Sequence, residues 1–154
     1  MLLPLTPVES LQVPEIVTPD SGPTFTGAAL ELLCQCVDRE VVTTSGEQKG
    51  DWMPILFIMT DGKPSDSQLY SQMIPEVKRR HFGSIIACAA GMKASTDSLR
   101  KLTDTVYSLD RIDSVTFQNL FKWVSQSIEV GTRSMGATDE VELPPPPREI
   151  SMLF

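Results

Sequence analysis

The stretch Ile55-Leu56-Phe57-Ile58-Met59-Thr60-Asp61-Gly62 decides the fold. Its uninterrupted apolar run is too short for a buried helix and lacks polar alternation, so it reads as a strand covered on both faces, a central strand of a parallel sheet. Pro54 precedes the run, and Thr60-Asp61-Gly62 ends it where Gly62 lets the chain turn sharply.

Downstream, Leu69, Tyr70, Met73 and Val77 share one helical face and predict a helix over Ser67 to Arg80. Pro75 lies within it and is expected to kink or split it, because proline removes an internal hydrogen bond. Ser84 to Ala90 repeats the short apolar run, Thr96 to Leu102 reads as a short helix, and Thr105 to Leu109 as a further strand. Asp113 or Ser114 can cap a last helix whose stripe is Phe117, Leu120, Phe121, Val124 and Ile128. Upstream, Ala29, Leu32, Leu33, Cys36 and Val37 predict a helix from Thr26 to about Val41, followed by a polar loop from Thr43 to Asp51.

Strands alternating with helices imply an α/β fold, Rossmann-like and doubly wound, with a mostly parallel sheet and right-handed crossovers. Ligands in such sheets sit beyond the carboxyl ends of the strands, and Asp61 lies at that edge.

The ends differ in composition. Pro4, Pro7, Pro14, Pro19 and Pro23 crowd the beginning, leaving room for at most one edge strand, Ser10 to Val13. After Gly131 come small and acidic residues and then Pro144 to Pro147, which favour an extended conformation. The expected division is a proline-rich segment over 1–20, one domain over 21–133 and a flexible tail over 134–154, which suits a chain of 154 residues.

Apolar residues make up 41% and charged residues 21% of the chain, enough for a core. Thirteen Lys plus Arg against twenty Asp plus Glu give a net charge of -7, a field that repels nucleic acid and anionic membranes. No apolar run approaches the ~20 residues that cross a bilayer, and the opening Met1-Leu2-Leu3-Pro4-Leu5 lacks the charge and cleavage pattern of a secretion signal. Three cysteines without Cys-x-x-Cys spacing fit neither a disulfide framework nor a zinc site, so the expected compartment is the reducing cytoplasm.

Two segments carry oxygen ligands suited to a hard divalent cation such as magnesium. One is Thr60-Asp61-Gly62-Lys63-Pro64-Ser65; the other is Ser21 to Leu30, with hydroxyls at the head of a helix. Plainer readings stand beside these. Asp61 is also an ordinary turn residue, and Thr24 and above all Thr26 are ordinary helix caps. Cys34 and Cys36 point to different helix faces, Cys88 reads as core, and His81 reads as a solvated loop residue. Gly62-Lys63-Pro64-Ser65 lacks the first glycine of a phosphate loop. The Pro144 to Pro147 run is a spacer or a ligand for an aromatic groove, and Trp52 and Trp123 read as packing residues. No second carboxylate or base stands at a spacing that would make Asp61 catalytic.

Thr24-x-Thr26-Gly27-x-Ala29-Leu30, followed by Phe57-Ile58-Met59-Thr60-Asp61-Gly62-x-Pro64, resembles the von Willebrand factor A (VWA) domain and its metal-ion-dependent adhesion site. Cys36 to Gly50, Asp51-Trp52, Ile85 to Gly91, Leu102 to Val106 and Phe121 to Ser127 are similar to the TerY-type branch associated with tellurite resistance, so the similarity runs from about Ser21 to Arg133. The resemblance implies a non-enzymatic protein-interaction module linked to stress response. Thr24 would supply a hydroxyl and Asp61 a carboxylate to Mg2+, and Gly62, Lys63 and Pro64 would meet the partner. That partner would present an acidic side chain, with kinase and phosphatase components of a stress-response system as the family's usual company. The family's Asp-x-Ser-x-Ser element, borne on its central first strand, has no counterpart here; Asp20-Ser21 is the nearest approximation. The expectation is therefore an N-terminally truncated domain that lacks that strand and whose magnesium affinity is weak or lost. The alternative is a metal-free fragment that acts structurally through its open sheet edge, or has no function.

Overall fold

The computed structural model describes residues 3–15, 17, 22–47, 49–61, 63–91, 94–109, 113–134, 144–147 and 150–153. The apolar runs form a small sheet. Strands β1 (Ile55–Thr60), β2 (Ser84–Ala90) and β3 (Val106–Leu109) are parallel neighbours, and β4 (Ile150–Leu153) pairs antiparallel with β3, in the order β1-β2-β3-β4. Among the described residues four α-helices accompany them: α1 (Thr26–Glu40), α2 (Ser67–Lys78), α3 (Asp97–Leu102) and α4 (Ser114–Ser134).

Alternation along each strand sends side chains to opposite faces, and each face meets its own helices. Leu56, Ile58 and Ile85 pack against Leu30 and Cys34 of α1, against Tyr70, Met73 and Val77 of α2, and against Leu102 of α3. Ile55, Phe57, Ile86, Cys88, Tyr107 and Leu109 pack against Phe117, Leu120, Trp123 and Val124 of α4. The α/β class with a mostly parallel, Rossmann-like sheet follows from this double cover. Among the described residues, no helix is long and apolar enough to cross a membrane.

The position of β1 differs from expectation. It is an edge strand rather than a central one: β2 lies on one side, no described strand lies on the other, and Met59 is 39% exposed. A continuous apolar run reports helices on both faces of a strand, and an edge strand between α1–α2 and α4 has that environment too.

Pro75 does not split α2, which runs unbroken through it. Ser71, whose carbonyl loses its partner to the proline, is exposed, so water can supply the bond. The expected edge strand at Ser10–Val13 is absent; a short 3-10 turn covers Val8–Ser10 instead, closed by bonds to the Pro7 and Val8 carbonyls. In the region expected as a tail, β4 joins the sheet, and the Trp123 indole N–H donates to the Pro144 carbonyl at 2.8 Å.

Arg80, just past α2, clamps the first two helices together. Its Nε and Nη2 donate to the two Asp38 carboxylate oxygens at 2.7 and 2.6 Å, and Nη1 donates to the Glu76 carbonyl at 2.6 Å. This forked geometry is one that only arginine offers.

Candidate functional site

Asp61 follows β1 at the carboxyl end of the sheet, where its side chain is exposed. Its backbone carbonyl accepts from the Ser95 amide at 2.8 Å, tying it to the loop after β2. The carboxylate Oδ1 lies 3.4 Å from both the Lys63 amide and the Thr60 hydroxyl, at the outer limit of hydrogen bonding. The described neighbours hold it loosely.

Thr24 reaches the same rim by a clasp. Its amide donates to Ser65 Oγ at 3.0 Å, and its carbonyl accepts from the Ser65 amide at 2.8 Å. Ser65 stands four residues beyond Asp61, so the segment before α1 and the loop after β1 form one surface. The two predicted ligands thus belong to joined segments, with no described bond between their side chains. Lys63 is exposed and Pro64 half-buried on that loop, while Gly62 lies outside the described residues, as do Asp20 and Ser21.

The Thr26 hydroxyl does not cap α1, contrary to the plain reading above, and Phe25 at the cap position has no side-chain bond to offer. Asp66 does that work from across the fold. Its Oδ1 accepts from the Gly27 amide at 3.0 Å and its Oδ2 from the Ala28 amide at 2.8 Å, while its own carbonyl accepts from Tyr70 and opens α2. One residue therefore organises two helix N-termini. Partial desolvation pushes the Asp66 carboxyl up, but the Gly27 and Ala28 amides outweigh it and hold the group below its ordinary value.

This approach requires glycine at position 27. A Cβ there would lie 2.5 Å from the Tyr70 amide nitrogen and 2.9 Å from the Leu69 carbonyl carbon. Beside the clasp, an open depression of about 340 Å3 is lined by Ser65, Asp66, Ser67, Gln68, Leu69 and Gln72.

Magnesium takes about six oxygens and usually retains several waters. The joined segments offer the exposed Asp61 carboxylate and the Thr24 hydroxyl, and among the described residues no three His, Cys, Asp or Glu side chains gather as a metal cage. That donor set fits a largely hydrated ion held by one charge.

Sequence reasoning gives no role to Asp66 or Ser95 and includes Ser65 only as the end of the Asp61 segment. Ser65-Asp66-Ser67 ahead of a helical stripe is a readable cap signal, but it points to α2, not to α1 across the fold. Comparison with protein families, with curated proteins and with solved structures gives no match to this chain.

Proposed function

We propose that this chain is a non-enzymatic protein-interaction module of VWA type, TerY-like, that receives an acidic side chain of a partner protein at the rim bearing Thr24 and Asp61. The observation that carries the reading is the Thr24–Ser65 clasp, which joins the two segments on which the VWA resemblance rests. Asp61 would hold a hydrated Mg2+ through its carboxylate and Thr24 through its hydroxyl. When bound, the ion supplies positive charge to a chain of net charge -7, which would otherwise repel an acidic partner. Lys63 and Pro64 form the surface next to it, and Lys63 adds a cation of its own. The setting proposed is cytoplasmic stress response, with kinase or phosphatase components as partners.

Calorimetric titration of the full chain with magnesium tests the reading. Binding heat that disappears in Asp61→Ala and weakens in Thr24→Ala supports it; no heat at millimolar metal removes the ion from the account and leaves a metal-free module.

A further inference from the structure

Helix α4 lies across the sheet from α1 and α2, and one stripe of it meets the chain's own proline run. Asn119, Lys122, Trp123 and Gln126 stand at i, i+3, i+4 and i+7, so they share one helix face. With Pro145 and Pro147 they line an open cleft of about 160 Å3. The N–H of the buried Trp123 indole donates to the Pro144 carbonyl at 2.8 Å.

The two sides are chemically matched. A run of prolines has no backbone N–H and presents carbonyls alone, and its fixed φ favours a preformed extended helix that loses little freedom on docking. Each residue of the stripe carries a side-chain donor: an indole N–H, two amide groups and an ammonium. Aromatic grooves that read proline-rich segments exploit the same preformed helix.

The resident run uses this surface incompletely. Among the described residues it engages the donor of Trp123, while the side chains of Asn119, Lys122 and Gln126 make no hydrogen bond, and Lys122 and Gln126 are exposed. The run is also tethered. Two residues separate it from β4, whose pairing with β3 limits where it can lie. A run free of that tether would satisfy more of the donors.

We propose that this stripe of α4 is a recognition surface for a proline-rich segment of another protein, and that the chain's own run covers it as a ligand in cis. The tethered run competes at high effective concentration, so the surface stays closed until a partner's run displaces it. Displacement draws off the segment that leads into β4, and capture of a partner on α4 therefore loosens the sheet edge that β4 occupies.

Titration of the isotope-labelled full chain with an octaproline peptide tests this by nuclear magnetic resonance, because Trp123 and Trp52 each give an indole N–H signal. Saturable movement of the Trp123 signal, with that of Trp52 unchanged, is expected, together with faster amide exchange in β4. Pro145→Gly/Pro147→Gly weakens the ligand in cis and should bind the peptide ~10-fold or more tighter, the factor gained when a site closed about nine-tenths of the time is opened. Gln126→Ala should weaken binding, and a peptide with alanine in place of proline should not bind. If circular dichroism shows the glycine variant unfolded, the wild-type titration and Gln126→Ala decide. A Trp123 signal that stays still at millimolar peptide in every folded chain, equal movement with the alanine peptide, equal affinity in the folded glycine variant, or binding indifferent to Gln126→Ala overturns the proposal. So does capture of the wild-type chain by an isolated SH3 domain without any octaproline binding, which would assign recognition to the run rather than to α4.

Discussion

Asp66 Oδ1 accepts a hydrogen bond from the amide of Gly27 at 3.0 Å, and this bond between the loop after β1 and the head of α1 joins two segments 39 residues apart. The Thr24–Ser65 clasp lies one residue upstream on the Asp66 loop, and the close passage of α1 over α2 lies directly beneath.

Replacing Asp66 with alanine leaves the Gly27 and Ala28 amides without their acceptor. A cap lost in this way lowers Tm by a few degrees in a domain of this size. Because the capping is done across the fold, the loss should also free the Thr24 segment, and Asp61→Ala magnesium controls should be read against that baseline. Thermal unfolding followed by circular dichroism measures it; an unchanged Tm would mean that water replaces the carboxylate without cost.

Gly27→Ala should destabilise the fold more than a cap loss does. The added methyl would lie 2.5 Å from a backbone nitrogen that cannot swing aside, so α1 and α2 must separate. Overpacking of this kind costs roughly 1–3 kcal/mol. A urea midpoint equal to that of the parent chain would show that the helices do not approach so closely.

Acid should unfold the chain through a specific set of carboxylates. Hydrogen bonds from Arg80 hold Asp38 below its ordinary 3.8, those from Arg79 and Arg80 hold Glu76 below 4.5, and the Arg39 bond does the same for Glu40. Asp66 joins them, its amide bonds outweighing desolvation. A carboxyl whose folded pKa is depressed adds stability that is present above its unfolded value and is lost as pH falls through the folded one. Stability should therefore be level above about pH 5 and decline below pH 4. Asp66→Asn should flatten that decline, which a urea series at several pH values detects.

Trp123→Phe isolates one hydrogen bond. The indole packs edge-on against Tyr107 at 5.0 Å and Phe57 at 6.4 Å, contacts that phenylalanine largely keeps, while its N–H to the Pro144 carbonyl is lost. The expected loss is about 1 kcal/mol, with faster amide exchange in β4, which follows that proline run. Equal exchange in β4 would show that the strand is held by its pairing with β3 alone.

The thiols should differ in reactivity. Burial pushes the Cys88 thiol up to about 11, and burial also raises Cys34, opposed by the nearby Arg80 guanidinium. Cys36 is half-buried on α1 and lines an apolar groove with Leu33, Val37, Ile55 and Leu56. Iodoacetamide at pH 8 should therefore alkylate Cys36 first, and peptide mapping that finds Cys88 labelled in the native chain would contradict the buried placement of β2.

The local pattern was readable wherever one residue's neighbours in sequence are also its neighbours in space. Met73 and Val77 lie on one helix face because 3.6 residues make a turn, and the Ile55 to Met59 run makes a strand because it is short, apolar and followed by a turn. The candidate site was legible only in part. Asp61 announced itself as a carboxylate after a strand, whereas Asp66, five residues on, gave a cap signal whose target lay on another helix.

Periodicity and turn chemistry are short-range properties, and they set the alternation of strands and helices and the α/β class. Strand order, the exposed flank of β1, the joining of Thr24 to Ser65 and the capping of α1 by Asp66 depend on which distant segments meet. Such meetings are chosen by the packing of whole faces, Leu56 and Ile58 toward one set of helices and Phe57 toward α4, and no window of neighbouring residues contains that choice.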